Sequence, residues 1–118
     1  MKAKELRFGN WVEYETGFHT ITTINFNYCD SHYKGNEYRH RYTETEPIPL
    51  TEEWLIKFGF TKVNKYSYWL DDFLCETIYI NLNTRKTTIG SNEEYDINHI
   101  KHVHQLQNLY FALTGEEL

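Results

Sequence analysis

Apolar residues in the last part of the chain recur at intervals of three and four positions, which is the spacing of one helical face. They are Ile97, Ile100, Val103, Leu106, Leu109, Tyr110 and Leu113, with Phe111 widening the face. The opposite, polar side would hold Lys101, Gln105 and Asn108. Asp96 or Asn98 could cap the start, and Gly115 suits the left-handed residue just past the end. The pattern therefore predicts one long amphipathic helix that begins near residue 96, ends at Gly115 and packs across a β-sheet.

A second, short helix is predicted between Thr51 and Gly59. Thr51 is a favourable N-cap residue, and Glu52 and Glu53 fall in the first turn, where the helix dipole favours negative charge. Gly59 can adopt the left-handed conformation that ends a helix. The buried side of this helix is expected to consist of Trp54, Leu55 and Phe58.

Most of the remaining chain shows the alternation of apolar and polar residues that is typical of half-buried strands. Residues 11–14 and 18–28 are predicted to form a hairpin, and residues 37–43 form either a third strand or part of a mobile loop. Turn signals occur at Thr16-Gly17, Lys34-Gly35-Asn36, Asp71-Asp72 and Asn83-Thr84. Further strands are predicted at residues 60–64, 66–70, 73–81 and 87–90.

These elements predict a single α+β domain over residues 1–118. Its small antiparallel sheet would pack against the long C-terminal helix, with the short helix near residues 51–58 beside it. The GNWV turn at residues 9–12 resembles the opening of small SH3-like barrels, so the sheet could be barrel-like. A chain of 118 residues is long enough to bury a core of useful size.

Charge and composition narrow the functional classes. The net charge is −5 with neutral histidines, which disfavours general binding to a nucleic-acid backbone. No apolar run follows the charged N-terminus, and no stretch approaches the roughly 20 apolar residues that span a bilayer. Cys29 and Cys75 lie far apart and, without an export signal, are expected to be free thiols. These features predict a cytoplasmic protein without membrane association.

The residues that usually carry catalysis form no recognisable enzyme motif. Each of the six glycines has a structural use, and none belongs to a phosphate-binding loop, a dinucleotide fingerprint or a nucleophile elbow. Nothing local marks Cys29 or Cys75 as an activated thiol. Asp71 and Asp72 fit a solvated turn better than a pair of catalytic carboxylates. The sequence therefore predicts no catalytic residue and no cofactor.

Two pairs of potential metal ligands have suggestive spacing. Cys29 and His32 are three residues apart, and so are His99 and His102 on the predicted closing helix. Together they could form a four-ligand zinc site. The simpler interpretation is that His99 and His102 flank the apolar face and form hydrogen bonds at its edge. Because the two pairs lie in different segments, we favour the metal-free interpretation.

One cluster combines basic and aromatic residues, in a chain whose aromatic content is 17%. It consists of Tyr33, Lys34, Tyr38, Arg39, Arg41 and Tyr42, with His40 between the arginines. Arginine and tyrosine can stack on bases and pair with phosphates, and they are also enriched at protein–protein hot spots. An exposed strand with alternating charges would give the same pattern. Acidic residues elsewhere, at 44, 46, 52, 53, 93, 94 and 96, supply the opposing surface.

Three segments resemble a known family. They are PIPLTEEWLIKFGF at 47–60, VHQLQNLYFALTGEEL at 103–118 and LRFGNWV at 6–12. The family is a set of short, uncharacterised proteins of Bacteroidetes-type bacteria, their prophages and their phages. The resemblance covers less than half of the chain and carries no catalytic residues with it. It implies a phage or prophage accessory protein, a class that often inhibits host defence.

We therefore expect a non-enzymatic protein that binds a host protein or ribonucleoprotein. The most specific form of this hypothesis is an inhibitor of a host defence system, acting like an anti-CRISPR protein on an RNA-guided nuclease or its guide RNA. The expected contacts are Tyr33, Lys34, Tyr38, Arg39, Arg41 and Tyr42. Alternatives are a small RNA- or DNA-binding module, a zinc-binding or thiol protein, and a structural protein that self-associates through exposed aromatic residues. The oligomeric state is left open.

Overall fold

The computed structural model describes residues 1–15, 17–71, 77–90, 95–97 and 100–118. These residues form an α+β fold with two antiparallel sheets and two α-helices. The first sheet contains β1 (Trp11–Tyr14), β2 (Gly17–Ile24), β3 (Tyr28–Tyr33), β4 (Asn36–Arg41) and β5 (Thr45–Glu46). The second contains β6 (Thr61–Lys62), β7 (Ser67–Leu70), β8 (Ile78–Asn81), β9 (Lys86–Ile89) and β10 (Tyr95–Asp96). The helices are α1 (Glu52–Lys57) and α2 (Val103–Thr114).

The first sheet has the strand order β4-β3-β2-β1-β5. Its β1–β2 hairpin matches the prediction, but β2 ends at Ile24 and the chain turns before β3. The segment that was predicted as a strand or a mobile loop forms β4, which pairs with β3 over its whole length. Lys34 and Gly35 both have positive φ, 48° and 83°, as a two-residue hairpin turn of the primed type requires. The predicted turn is therefore confirmed.

The second sheet has the order β10-β9-β8-β7-β6. Its central strands lie where the alternation predicted them. β7 begins one residue later than expected, β8 covers the last four residues of its predicted span, and β9 has the predicted length but begins one residue earlier. The start of the predicted strand at 73–81 lies outside the described residues, as does Asp72 of the predicted turn. The turn at Asn83-Thr84 is confirmed, and the Asn81 side chain accepts hydrogen bonds from both of their backbone N–H groups.

The prediction of one barrel-like sheet was wrong, because the strands form two separate sheets and neither closes within the described part of the chain. Closure would require the first and last strands of a sheet to pair, and β4 and β5 instead remain at opposite edges. The larger core lies between the second sheet and the two helices. It contains Ile48, Leu50, Trp54, Leu55, Phe60, Tyr68, Ile78, Ile80, Ile100, Val103, Leu106 and Tyr110.

The two sheets meet at the short helix. The Trp11 and Phe18 rings of the first sheet lie 5.4 and 5.3 Å from the Trp54 ring of α1. A smaller core on the opposite face of the first sheet contains Leu6, Val12, Ile21, Cys29 and Tyr42. The first sheet is thus anchored on α1 at its β1–β2 end, and the β3–β4 hairpin extends away from that anchor.

Helix α2 begins at Val103 rather than near residue 96, so the predicted start was wrong. Residues 95–96 pair with β9, and the Ile97 N–H donates to the Thr87 carbonyl at 2.6 Å. These backbone groups are therefore not free for a helical turn. The Gln105 side chain instead accepts the N–H groups of Lys101 and His102 at the helix start. The residue that precedes the helix is His102. Of the two residues predicted as caps, the side chain of Asp96 and the whole of Asn98 lie outside the described residues.

The end of α2 agrees with the sequence, since Gly115 has φ 75° and its N–H donates to the Phe111 carbonyl. The polar side of the helix differs from the prediction. The Asn108 amide, expected to face solvent, accepts from Asn10 and donates to the Glu5 carbonyl. The N-terminal turn is therefore held by polar side chains of α2. No helix in the described part of the chain is long and apolar enough to cross a membrane.

Candidate partner-binding site

The β3–β4 hairpin carries the predicted basic and aromatic cluster, and its two faces differ in character. Because side chains alternate along a strand, Cys29, Ser31 and Tyr33 share one face with Tyr38 and His40. We call this the inner face. Asp30 and Arg39 lie on the opposite, outer face, where they are directly opposite one another. The cluster therefore does not form one continuous surface.

On the outer face, Arg39 is held by two neighbours. Its Nε donates to Asp30 Oδ1 at 2.9 Å, and its guanidinium carbon lies 4.0 Å from the centre of the Tyr28 ring. The hydrogen bond from Arg39 lowers the pKa of the Asp30 carboxyl, so this pair stays ionised at neutral pH. The Arg39 side chain remains 63% exposed. The outer face thus presents an ordered arginine stacked on a tyrosine.

Other charges on the outer face are also balanced. Glu37 lies 3.2 Å from His32 Nδ1 and accepts a hydrogen bond from the Thr22 hydroxyl at 2.8 Å. Arg41 is exposed, and its backbone N–H donates to the Glu44 carboxylate. The face therefore mixes positive and negative groups and is not a uniformly basic patch.

At the tip of the hairpin, the Lys34 ammonium lies 5.2 Å from the centre of the Tyr33 ring. Tyr38 is 37% exposed and tilted against Tyr33, with 6.4 Å between the ring centres. Lys34, Tyr33 and Tyr38 therefore form an accessible corner where the tip meets the inner face.

Tyr42 does not lie on the surface with the other predicted contact residues. It is buried in the small core beside Leu6 and Val12, and its hydroxyl donates to the Asn25 carbonyl at 2.5 Å. Burial raises the pKa of its hydroxyl. A partner could not reach Tyr42 without opening this core, so we leave it out of the surface proposed below.

The inner face holds a chain of hydrogen bonds between buried polar side chains. His19 Nδ1 lies 2.9 Å from Ser31 Oγ, which lies 2.9 Å from His40 Nε2. His40 Nδ1 in turn lies 2.8 Å from Thr45 Oγ1, and that hydroxyl donates to the Arg41 carbonyl. Burial lowers the pKa of both histidines. We call this chain the histidine relay.

Rings pack against the histidine relay from both ends. The Tyr14 ring stacks on His40 with 3.9 Å between centres, and the Tyr33 ring stacks on His19 at 4.6 Å. The packing of Tyr33 requires glycine at position 17, because a Cβ there would lie 2.7 Å from the Tyr33 ring. A serine between two histidines could suggest a nucleophile with its base, but Ser31 is 0% exposed and no substrate can reach its hydroxyl.

Cys29 does not combine with His32 or His102, the predicted metal ligands that the structure describes. Its thiol is buried beside His40 and Thr45, and burial raises its pKa, which favours the unreactive protonated form. His32 lies on the outer face, so Cys29 and His32 point away from each other. His102 is at the start of α2 with its ring 6.0 Å from His104. Among the described residues no three potential metal ligands converge, and His99 and Cys75 lie outside them.

Sequence reasoning missed the histidine relay and Tyr14, although it singled out Tyr33 and Tyr38, which also pack against His19. Gly17, His19 and Ile21 alternate on β2 and therefore share the inner face. This alternation in the sequence could have placed His19 on the inner face. Nothing local could show that it meets Ser31, His40 and Thr45, because these lie on three other segments and meet only through strand pairing.

Known proteins offer no direct comparison. No family model, no curated protein and no solved structure matches this chain. Function is therefore inferred from the geometry of the described residues.

Proposed function

We propose that this protein acts without catalysis, by binding a host protein or ribonucleoprotein through the exposed β3–β4 hairpin. The observation that carries the proposal is the ordered Arg39 side chain, fixed between Asp30 and Tyr28 yet open to solvent. An arginine held in one position loses little conformational entropy on binding, and stacked arginine and tyrosine pairs are typical of interface hot spots.

The distribution of charge favours a protein as the direct partner. Arg39 is paired with Asp30, and Glu37 lies beside His32 on the same face. The whole chain has a net charge of −5. Nucleic-acid affinity comes chiefly from unpaired cations facing phosphates, whereas protein interfaces match groups of both signs.

In its most specific form, the proposed function is inhibition of a host defence system such as an RNA-guided nuclease, within the host cytoplasm. The support for this form is the resemblance of three segments to phage and prophage proteins. All three meet in the fold. Asn10 is hydrogen-bonded to Asn108, the Trp11 ring lies 5.4 Å from the Trp54 ring, and the Val103 N–H donates to the Ile48 carbonyl. The three segments belong to the part of the fold that carries the hairpin, and the β3–β4 hairpin itself lies outside all of them.

The test is capture of partners from a host-type lysate, with and without nuclease treatment. The variant Lys34→Glu/Arg41→Glu should lose the captured protein because both side chains are exposed on the hairpin. The matched control is Lys65→Glu/Lys101→Glu, which changes the charge equally at exposed positions outside the hairpin. Lys65 also lies over a tyrosine ring, 5.3 Å from Tyr66, as Lys34 does over Tyr33. Equal capture by both variants, together with undiminished capture by Arg39→Ala, would rule out the hairpin as the contact.

A second candidate is direct binding to RNA, which the exposed Tyr28 and Arg39 stack favours, since both groups can pack on bases. In that case nuclease treatment should remove the captured partner. Affinity for RNA should also fall steeply as salt is raised. A nuclease-resistant complex would instead support direct protein contacts.

A further inference from the structure

A small cleft opens beside the tip of the hairpin, on the inner face. It is lined by Tyr14, Glu15, Gly17, His19, Tyr33 and Tyr38 and has a volume of about 60 Å³. We call it the tyrosine cleft. A water-sized group needs roughly 10–15 Å³ of such space, so the cleft can hold the end of a side chain but not a nucleobase.

The donor and acceptor of each hydrogen bond in the histidine relay can be assigned by starting at Thr45. The Thr45 hydroxyl has one proton and gives it to the Arg41 carbonyl, which can only accept. Thr45 Oγ1 must therefore accept from His40, which places the His40 proton on Nδ1. Because burial keeps His40 neutral, its Nε2 carries no proton and must accept from the Ser31 hydroxyl.

The same reasoning continues to His19. The single proton of the Ser31 hydroxyl points to His40, so Ser31 Oγ accepts from His19 Nδ1. His19 is also neutral because of its burial, and its Nε2 is left with a free lone pair. No described residue donates to that nitrogen. His19 as a residue is 3% exposed and lines the tyrosine cleft, but its Nε2 is not one of the fully buried, unpartnered atoms of the described residues, so this free acceptor is open to the cleft.

The walls of the tyrosine cleft suit a positive charge, and the Lys34 ammonium already lies 5.2 Å from the centre of the Tyr33 ring at its edge. Three tyrosine rings surround His19, and Tyr14 and Tyr38 meet its ring edge to face. Glu15 stands at the mouth, and no described cation forms an ion pair with its carboxylate. A lone-pair acceptor, electron-rich rings and an unneutralised carboxylate together favour a ligand that is a cation and also donates N–H bonds.

We infer that the tyrosine cleft receives a primary alkylammonium group, namely the end of a lysine side chain of the protein partner. The ammonium donates to His19 Nε2, its charge is balanced by Glu15, and its last methylene groups lie against the tyrosine rings. This inference rests on the proposed function for the source of the lysine. The chemistry of the cleft itself does not depend on it.

The first experiment uses the isolated chain and follows the His19 and Tyr33 ring signals by NMR. Butylammonium should shift them in a saturable way. Butyltrimethylammonium has the charge and can lie against the rings but has no N–H donor, so it should bind clearly more weakly, and butanol, which has no charge, should not shift the signals. Glu15→Gln should weaken butylammonium binding by about threefold, the scale of an exposed ion pair. Equal responses to all three probes, or no saturable response to butylammonium, would overturn the inference.

The second experiment tells a partner's lysine from a free amine. Butylammonium added to the captured complex should release the partner, whereas the same concentration of butyltrimethylammonium should release clearly less of it. Undiminished capture would overturn the assignment to a lysine of the partner. The two proposals fail separately, because the NMR titration needs no partner and the hairpin variants need no amine.

Discussion

At the scale of single residues, the most informative side chain is Gln107, which the helical pattern did not single out. It is 2% exposed, and its Oε1 accepts the Trp11 N–H at 2.8 Å while its Nε2 donates to the Gly9 carbonyl at 3.1 Å. The side-chain amide therefore forms the hydrogen bonds that a neighbouring strand would form, with the backbone groups at the start of β1. Such groups are costly to bury without partners.

Replacing Gln107 should be strongly destabilising. Gln107→Leu keeps a similar volume but leaves the Trp11 N–H and the Gly9 carbonyl without partners, at a cost of about 2–4 kcal/mol in the free energy of unfolding. Urea denaturation would measure it. Gln105→Leu is the control on the same helix, since its side chain bonds only at the helix start and should cost about 1 kcal/mol. Equal costs for the two variants would contradict this role of Gln107.

At the scale of elements, α2 combines an apolar face with buried polar groups. His104 lies on this helix with 3% exposure, and its Nδ1 has no hydrogen-bond partner. The pKa of His104 is lowered from 6.5 to about 4. Burial is the main cause and the nearby His102 is the second, while Glu5 opposes the shift. The helix is therefore most stable when this histidine is neutral.

The stability of the protein should consequently fall on the acid side. Between about pH 6.5 and pH 4 the unfolded chain binds a proton at His104 that the folded chain does not, so the free energy of unfolding decreases as pH drops through this range. The loss attributable to His104 should reach about 2 kcal/mol or more near pH 4. His19 and His40 shift in the same direction and add to it.

Denaturation curves at pH 7 and near pH 4 would measure this dependence. His104→Leu should reduce the difference between the two curves while leaving the part due to His19 and His40. An unchanged difference in this variant would show that His104 does not titrate as a buried group.

At the scale of the whole molecule, the described residues form two cores of unequal size. The larger joins the second sheet to both helices, whereas the smaller lies under the first sheet. Large aromatic side chains remain outside both, notably Phe26 at 93% and Phe8 at 65% exposure. These residues are where the alternative of self-association would be sought, by light scattering across concentrations.

The two cores should respond differently to truncation. Leu106 in the larger core and Val12 in the smaller core are both 0% exposed. Leu106→Ala should cost about 3–4 kcal/mol, whereas Val12→Ala removes fewer atoms and should cost about 2 kcal/mol. Thermal or urea unfolding would compare them. A single transition shared by all probes in both variants would indicate that the two cores unfold together, and separate transitions would indicate two units.

The sequence by itself determined the α+β class, the short helix α1, the end of α2 and the turn at Lys34-Gly35. These features depend on local signals, namely periodicity, capping residues and the freedom of glycine to adopt positive φ. Of the candidate site, it found the basic and aromatic residues of the hairpin but not which face each occupies.

Only the tertiary structure decided the division into two sheets, the late start of α2, the burial of Tyr42 and the meeting of His19 with Ser31 and His40. Each of these depends on which strands pair and in what register. Pairing is a choice between segments far apart in the chain, and a shift of one residue would send His19 to the opposite face. Local pattern carries no information about that choice, so the tyrosine cleft exists only once the strands have paired.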